Sequence, residues 1–461
     1  MKPFESTGSW FVPPDHDKIV PGTLRFSPED GLSLTLLGAF QESWGMQAIQ
    51  YPVINGIITD SPYGKRVSLF DCFATKLRFG TPGIALETIR ANHAFVGSSL
   101  IEAKEIEFDE AAVYFDDLAF WLNVSGLSTD MAANEVIARW HQHDPLESTV
   151  PGAEISTTSF FNHSSSGAPP SITMEEVPGL LIHLDTPLTH EKLHEEYVGA
   201  LIRLMTFIAD RPAEFNRYML FSGNDEEPHR TRLDRIYAPM GYQNSEERQT
   251  KSDARIIFTI RDIPGGFPVL IPAWFDFVKK HPDFCSMFFS YAYVDTGYVE
   301  SRFLFRMLAA QLLAREEYPD DPILTGFEEF HKELIGPPDK SMRKLISLVL
   351  PSFSQLALPA MLSKLLDERW GVLEQIVSTE KLHFIESLFS TFDHVLNRGK
   401  PGSSAILGTN LYWLTERLTA VIKLCVLKSL GLTDEAIRKI SATNPRLSHL
   451  KQSKQPWSTV E

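Results

Sequence analysis

The chain has 461 residues, 43% of them hydrophobic, which is material for roughly two or three domains with buried cores. Its 43 basic and 59 acidic side chains leave a net charge of −16, which excludes a surface that attracts phosphate everywhere and makes any nucleic-acid contact local. Three cysteines far apart in sequence, Cys72, Cys285 and Cys425, form no CxxC pair; they suggest neither a zinc ribbon nor a disulfide framework and fit a reducing cytoplasm.

The first ten residues show no basic segment followed by an apolar one, so no secretory signal is expected. From residue 20 to about 145 the pattern is short strands between turns. Leu32, Leu34 and Leu36 alternate with Ser33 and Thr35, and Ile106 and Phe108 with Glu105 and Glu107, the period of a half-buried strand. Turns are expected at Glu29–Gly31, Ser61–Gly64 and Gly80–Gly83, where Gly and Pro supply the reversal. Residues 156–171, rich in Ser, Thr and Pro, read as a mobile surface loop. A helix is expected over Thr189–Ile208, with Leu193, Tyr197, Leu201, Leu204 and Ile208 on one face and Pro212 closing the segment.

After the charged loop Ser222–Arg232, Ile256–Ile260 again reads as strand, and Asp262–Gly266 is the clearest domain boundary. Beyond residue 273 the period is helical. Helices are expected at Glu300–Glu316, Pro322–Leu334, Pro359–Asp367, Thr379–Leu396 and Ser404–Leu430. The last has Leu407, Leu411, Leu414, Leu418, Val421 and Cys425 on its core face, Ser403 or Ser404 as N-cap and Gly431 as stop. The most apolar stretch, Leu345–Leu362, is broken by Pro351 and Pro359 and reads as two buried helical pieces, not a membrane span. The segment from Lys428 carries six basic and three acidic residues and ends in a polar tail, which suits a solvated terminus as well as an RNA contact. The expected organisation is α+β, with a β-rich region over 1–265, a helical bundle over 273–440 and a polar tail over 441–461.

Several familiar chemistries find no support. His141 and His143 would share one side of a strand with Asp144 nearby, but no third ligand stands at a recognisable spacing, so a polar strand edge is the reading. Gly64-Lys65 lacks the glycine and hydroxyl of a phosphate-binding loop, and no G-x-S-x-G elbow occurs. Asp116-Asp117 and Glu175-Glu176 read as solvated residues. Neither metal nor cofactor is called for.

One ordered set of segments carries more information. Trp10–Pro13, Val20–Leu24, Leu34–Phe40, Ile54–Gly56 and Val67–Cys72 together resemble the opening domain of ApeA-type anti-phage proteins, which place a large β-rich module before a helical HEPN domain. The resemblance implies abortive-infection defence: the β-rich region senses infection, and the helical domain cuts RNA as a metal-independent ribonuclease. It also implies RNA and a phage-derived trigger as partners, a homodimer, a cytoplasmic location and no membrane contact. The family's signature is an Arg, usually followed by a polar residue, with a His after four to six intervening residues. The Arg stabilises charge on phosphate and the His moves a proton near neutral pH.

No histidine in this chain has an Arg at that spacing. Counted back from the last long helix, Phe392 takes the Arg position, Asp393 the polar position and Asn397 the His position. Phe cannot neutralise phosphate and Asn cannot shuttle a proton. Two readings of the site then stand. His394 and Arg398, four apart on a helix, recreate the pair in reverse order beside Asp393 and Asn397; or His394 packs near a helix end and Arg398 is a solvated cation in the last turn. The first makes the protein a ribonuclease with a departed motif, the second a non-catalytic sensor or partner-binding protein of a defence system.

Overall fold

A computed structural model describes residues 3–13, 15–27, 30–41, 49–59, 66–78, 83–97, 107–132, 135–167, 170–213, 215–222, 231–235, 256–293, 297–319, 359–397, 402–453 and 455–457. The chain divides into two compact units, Met1–Met205 with Ala213–Lys251, and Thr206–Pro212 with Ser252–Glu461. The first is β-rich and the second helical, the α+β class that the sequence predicts. The expected turns at Ser61–Gly64 and Gly80–Pro82, most of the loop at Ser222–Arg232, the helix at Pro322–Leu334 and nearly all of Leu345–Leu362 lie outside the described residues.

In the first unit, β1 (Phe4–Val12), β2 (Asp15–Ser27), β3 (Gly31–Leu37), β4 (Gln50–Ile58), β5 (Arg66–Arg78) and β6 (Leu86–Gly97) pair antiparallel in the order β6-β3-β2-β1-β4-β5. Pairing of β5 with β6 closes them into a six-stranded barrel. Alternation decides what is inside: Leu32, Leu34 and Leu36 are at most 1% exposed, while Ser33 and Thr35 face outward between them. Trp10 is fully buried, donates its indole N–H to the Gly22 carbonyl (3.3 Å) and lies opposite Gly56 on β4. A Cβ on Gly56 would fall inside the Trp10 ring, so this position needs glycine for space. Two buried polar groups of the barrel are paired, as burial requires. Ser68 Oγ donates to Asn55 Oδ1 (2.7 Å), and the Glu87 carboxylate accepts from the Phe40 N–H (3.0 Å) and the Tyr51 hydroxyl (2.9 Å).

The sheet continues from β6 through β14 (Thr231–Arg235), β13 (Phe215–Ser222), β7 (Glu107–Phe115), β12 (Pro170–Thr189) and β11 (Ala153–Gly167) to β10 (Glu147–Val150). A short helix, α1 (Leu118–Leu122), follows β7, and β8 (Leu127–Ala132) and β9 (Glu135–Trp140) form a separate hairpin. Of residues 156–171, expected to be loop, 156–167 and 170–171 instead lie in the arms of the β11–β12 hairpin, in register from Ala153↔Leu184 to Gly167↔Pro170. Their hydroxyls are the outward residues of paired strands, a polar composition that does not prevent pairing. The helix expected over Thr189–Ile208 is present as α2 (His190–Leu193), one π-helical turn (His194–Val198) and α3 (Gly199–Ala209). All five apolar positions on its face are buried.

The second unit contains α4 (Phe267–Lys280), α5 (Pro282–Ser290), α6 (Val299–Glu317), α7 through 359–367, α8 (Trp370–Val377), α9 (Lys381–Asn397), α10 (Thr409–Ser429), α11 (Asp434–Thr443) and α12 (Pro445–Gln452). The central element is α10. It starts after Gly408, whose φ of +61° breaks the chain, and so later than the expected Ser403 or Ser404 cap. It stops before Gly431 (φ +85°), as expected. Ile256–Ile260 is not a strand. Its backbone enters a 3-10 turn capped by Thr259 and Asp262, and Ile257 N–H donates to the Ile208 carbonyl (2.9 Å) within the helical unit. Residues 441–461, read as a polar tail, hold α12 and a tryptophan, Trp457, whose indole N–H donates to the Val377 carbonyl (2.9 Å). Among the described residues no helix is long and apolar enough to cross a membrane.

Candidate functional site

The sequence-predicted site lies at the end of α9. Phe384, Ser387, Leu388 and Thr391 are buried and form the inward face of this helix, and Thr391 Oγ1 accepts from the Ile406 N–H (2.9 Å), which seats the chain following the helix. Counting 100° per residue from that face places Asp393 on the opposite side and His394 on the flank. Accordingly Asp393 is exposed and His394 half-buried. The two neighbours therefore point in different directions. Asn397 closes α9, and Arg398 lies outside the described residues. Phe392, at the position where the motif has Arg, is half-buried.

Elsewhere in the helical unit, among the described residues, buried ionisable groups form two internal networks that the sequence did not disclose. In the first, His281 is fully buried, with Nε2 3.1 Å and Nδ1 3.7 Å from the carboxylates of Glu317 and Glu316 at the end of α6. Glu317 also accepts from Lys280 Nζ (2.8 Å), Arg369 (2.7 Å) and Ser429 Oγ (3.3 Å). The His281 imidazole, helped by the Lys280 ammonium and Arg369 guanidinium, holds the Glu317 carboxyl well below the usual carboxylate range. This one side chain ties together the ends of α4, α6, α7 and α10.

The second network surrounds Asp210, which pairs with Lys423 and Arg446; Arg446 also pairs with Glu416, and Glu416 in turn with Arg302 (2.7 Å). Burial alone raises the Asp210 carboxyl, but Lys423 and Arg446 bring it below its ordinary value. Burial pushes the Lys423 ammonium down, although Asp210 pulls it back. Arg306 lies over the Phe288 ring, 4.2 Å from its centroid.

Arg417 is a buried arginine with no carboxylate partner among the described residues. Arg417 donates to the carbonyls of Ser453 (2.6 Å), Gln455 (2.6 Å) and Ile376, and burial pushes it down to about 10. It holds the chain after α12 against the end of α8.

These groups are unsuited to chemistry on a large substrate. A base enclosed on every side, such as His281, cannot reach a ribose hydroxyl. The three thiols are buried and unbridged, and burial pushes Cys425 up to about 12 and Cys72 higher still, so no nucleophilic thiolate is on offer. The end of α9 differs in that Asp393 and His394 retain access to water. His141 and His143 of the β-rich unit are exposed beyond β9, and among the described residues no cluster of His, Cys, Asp or Glu has the geometry to hold a metal. No sequence signal could have revealed the networks, because Glu317 and Arg369 are 52 positions apart and Asp210 and Arg446 are 236 apart.

A family model described as ApeA N-terminal domain 1 matches residues 5–274, more than half of the chain. No curated protein and no solved structure matches. The match takes in the barrel, apart from Phe4 at the start of β1, and the sheet that continues from it.

Proposed function

The chain belongs to the ApeA family of anti-phage defence proteins, and from that premise we propose that it acts by abortive infection, the β-rich unit sensing a phage-derived trigger and the helical unit acting on RNA. In this reading the helical unit is a HEPN-type domain working as a homodimer, with its Arg-x(4-6)-His motif replaced by the groups around the end of α9. The observation that carries the assignment is the family match over residues 5–274. The position of the site rests on exposure: His394 and Asp393 reach water, whereas His281, Glu317, Asp210 and Lys423 are committed to internal ties. His394 would move the proton of the attacking hydroxyl and Arg398 would stabilise the charge that develops on phosphate, with Asp393 and Asn397 completing the departed motif. No metal is needed for that scheme.

A second reading, a non-catalytic sensor or partner-binding protein, is favoured by Phe392 standing where the motif requires Arg and by the divergence of Asp393 and His394 around the helix. RNA integrity in phage-infected cells separates the two. Cells expressing the wild type should accumulate RNA fragments that disappear with the double variant His394→Ala, Arg398→Ala. Protection from phage with intact RNA in wild-type cells would sink the ribonuclease reading and leave the second.

A further inference from the structure

The outer face of the barrel carries a feature that the defence reading does not use. Arg25 on β2, Ser33 on β3 and Arg90 on β6 stand directly opposite one another in register, and Thr23, Thr35 and Thr88 form the adjacent row. Side chains at these positions point away from the apolar interior, because their neighbours Leu24, Leu34 and Ile89 fill it. At the β5 bulge Thr75 turns its hydroxyl onto the Thr88 carbonyl (3.1 Å). Between these strands lies a depression of about 240 Å³ lined by Arg25, Asp30, Ser33, Thr75, Thr88 and Arg90. Asp30 is fixed there by two hydrogen bonds with Ser27, Oγ to Oδ2 (3.2 Å) and backbone N–H to Oγ (2.9 Å).

The chemistry of this lining is specific. Every side chain in it is polar or charged. The two guanidiniums sit on strands separated by one strand, about 10 Å apart at the backbone, and neither makes an ion pair or side-chain hydrogen bond with another described residue. Planar forks with free donors, flanked by hydroxyls, match phosphate oxygens. The Asp30 carboxylate repels phosphate but accepts from a sugar hydroxyl, and Glu5, opposite Arg25 on β1, keeps the outer edge from being generally cationic. On a chain of net charge −16, this is a local site rather than part of a basic surface.

We propose that this depression binds a ribonucleotide unit, with Arg25 and Arg90 on the phosphate, Ser33, Thr75 and Thr88 supporting it, and Asp30 on the ribose hydroxyls. The source of that unit is either a free nucleotide or an RNA strand, since both present the same sugar and phosphate. The site belongs to the barrel and stands independently of any cleavage by the helical unit.

Calorimetric titration of the full chain with AMP, dAMP and the dinucleotide ApA tests it. Saturable binding of AMP or ApA is expected, weakened at least about tenfold in Arg25→Ala, Arg90→Ala, because each lost charge-assisted hydrogen bond costs that much. Thermal unfolding of this variant should match the wild type, as both side chains lie on the outer face. The variant Arg25→Lys, Arg90→Lys, which keeps charge but loses the forks, should fall between them. AMP should bind more tightly than dAMP, and Asp30→Asn should reduce that preference. Tighter binding of ApA identifies a strand as the source, and tighter binding of AMP a free nucleotide. The proposal fails if neither AMP nor ApA binds saturably, if binding survives in the double alanine variant, or if AMP and dAMP bind alike. None of these readouts depends on RNA fragmentation in infected cells, so the two proposals fail separately.

Discussion

At the scale of single residues, the segments that carry the family resemblance acquire a mechanical meaning. Trp10, Gly22 and Gly56 are one contact: the ring fills the space that glycine leaves on β4, and its N–H is satisfied by the Gly22 carbonyl on β2. Asn55 and Ser68 are one buried hydrogen bond across β4 and β5. These residues build the barrel, and none of them carries chemistry. Gly56→Val should therefore destabilise the β-rich unit by about 2 kcal/mol, as overpacking does, a loss visible as a lower denaturation midpoint; an unchanged midpoint would mean that Trp10 can move aside. The candidate residues at the end of α9 could be named from sequence, since they follow from counting along one helix. Their orientations required the inward face of α9 to be known, and that face is set by what packs on it.

At the scale of elements, periodicity was a good guide where one face meets one core. The Thr189–Ile208 helix, α6, α9 and the alternating strands of the barrel follow it. It misled where composition and environment diverge. Residues 156–171 look too polar for regular structure, yet their backbones pair along β12. Ile256–Ile260 has strand composition, but its apolar side chains are buried in a helical unit that, among the described residues, offers no strand to pair with. Caps show how local chemistry still fixes boundaries. Asn444 accepts from the N–H groups of Arg446 (3.1 Å) and Leu447 (3.0 Å) to start α12, while its amide donates to the Ile256 carbonyl (3.0 Å). Asn444→Ala should cost about 2 kcal/mol, the upper end for an N-cap, because a buried carbonyl is orphaned as well. Asn444→Asp, which keeps the cap acceptor and loses the amide donor, should cost less in the same denaturant titration.

At the scale of the whole molecule, acid stability should be governed by the two networks of the helical unit. Glu317 and Asp210 both titrate below their ordinary values of 4.5 and 3.8 in the folded chain. A depressed carboxylate contributes stability that is present above its unfolded pKa and is lost as pH falls through the folded one, so this unit should weaken progressively below about pH 4.5. Glu317→Gln should cost about 3 kcal/mol at neutral pH, the scale of breaking a buried pair. It should also flatten the acid limb of a stability-against-pH curve measured by urea unfolding. An acid limb as steep as that of the wild type would show that Glu317 is not what the proton disrupts.

The sequence by itself determined the two-part α+β order, the barrel's inward positions and the family, because alternation, helical period and an ordered run of segments are properties of the chain read along its length. It also determined that the expected Arg-to-His spacing is missing, a matter of counting. Only the tertiary structure decided which charges are locked inside the helical unit, which sides of α9 Asp393 and His394 occupy, and that Arg25, Ser33 and Arg90 meet on one face of the barrel. Each of those depends on strand register or helix packing between residues distant in sequence, and no local pattern of amino acids encodes which distant partner a side chain will face.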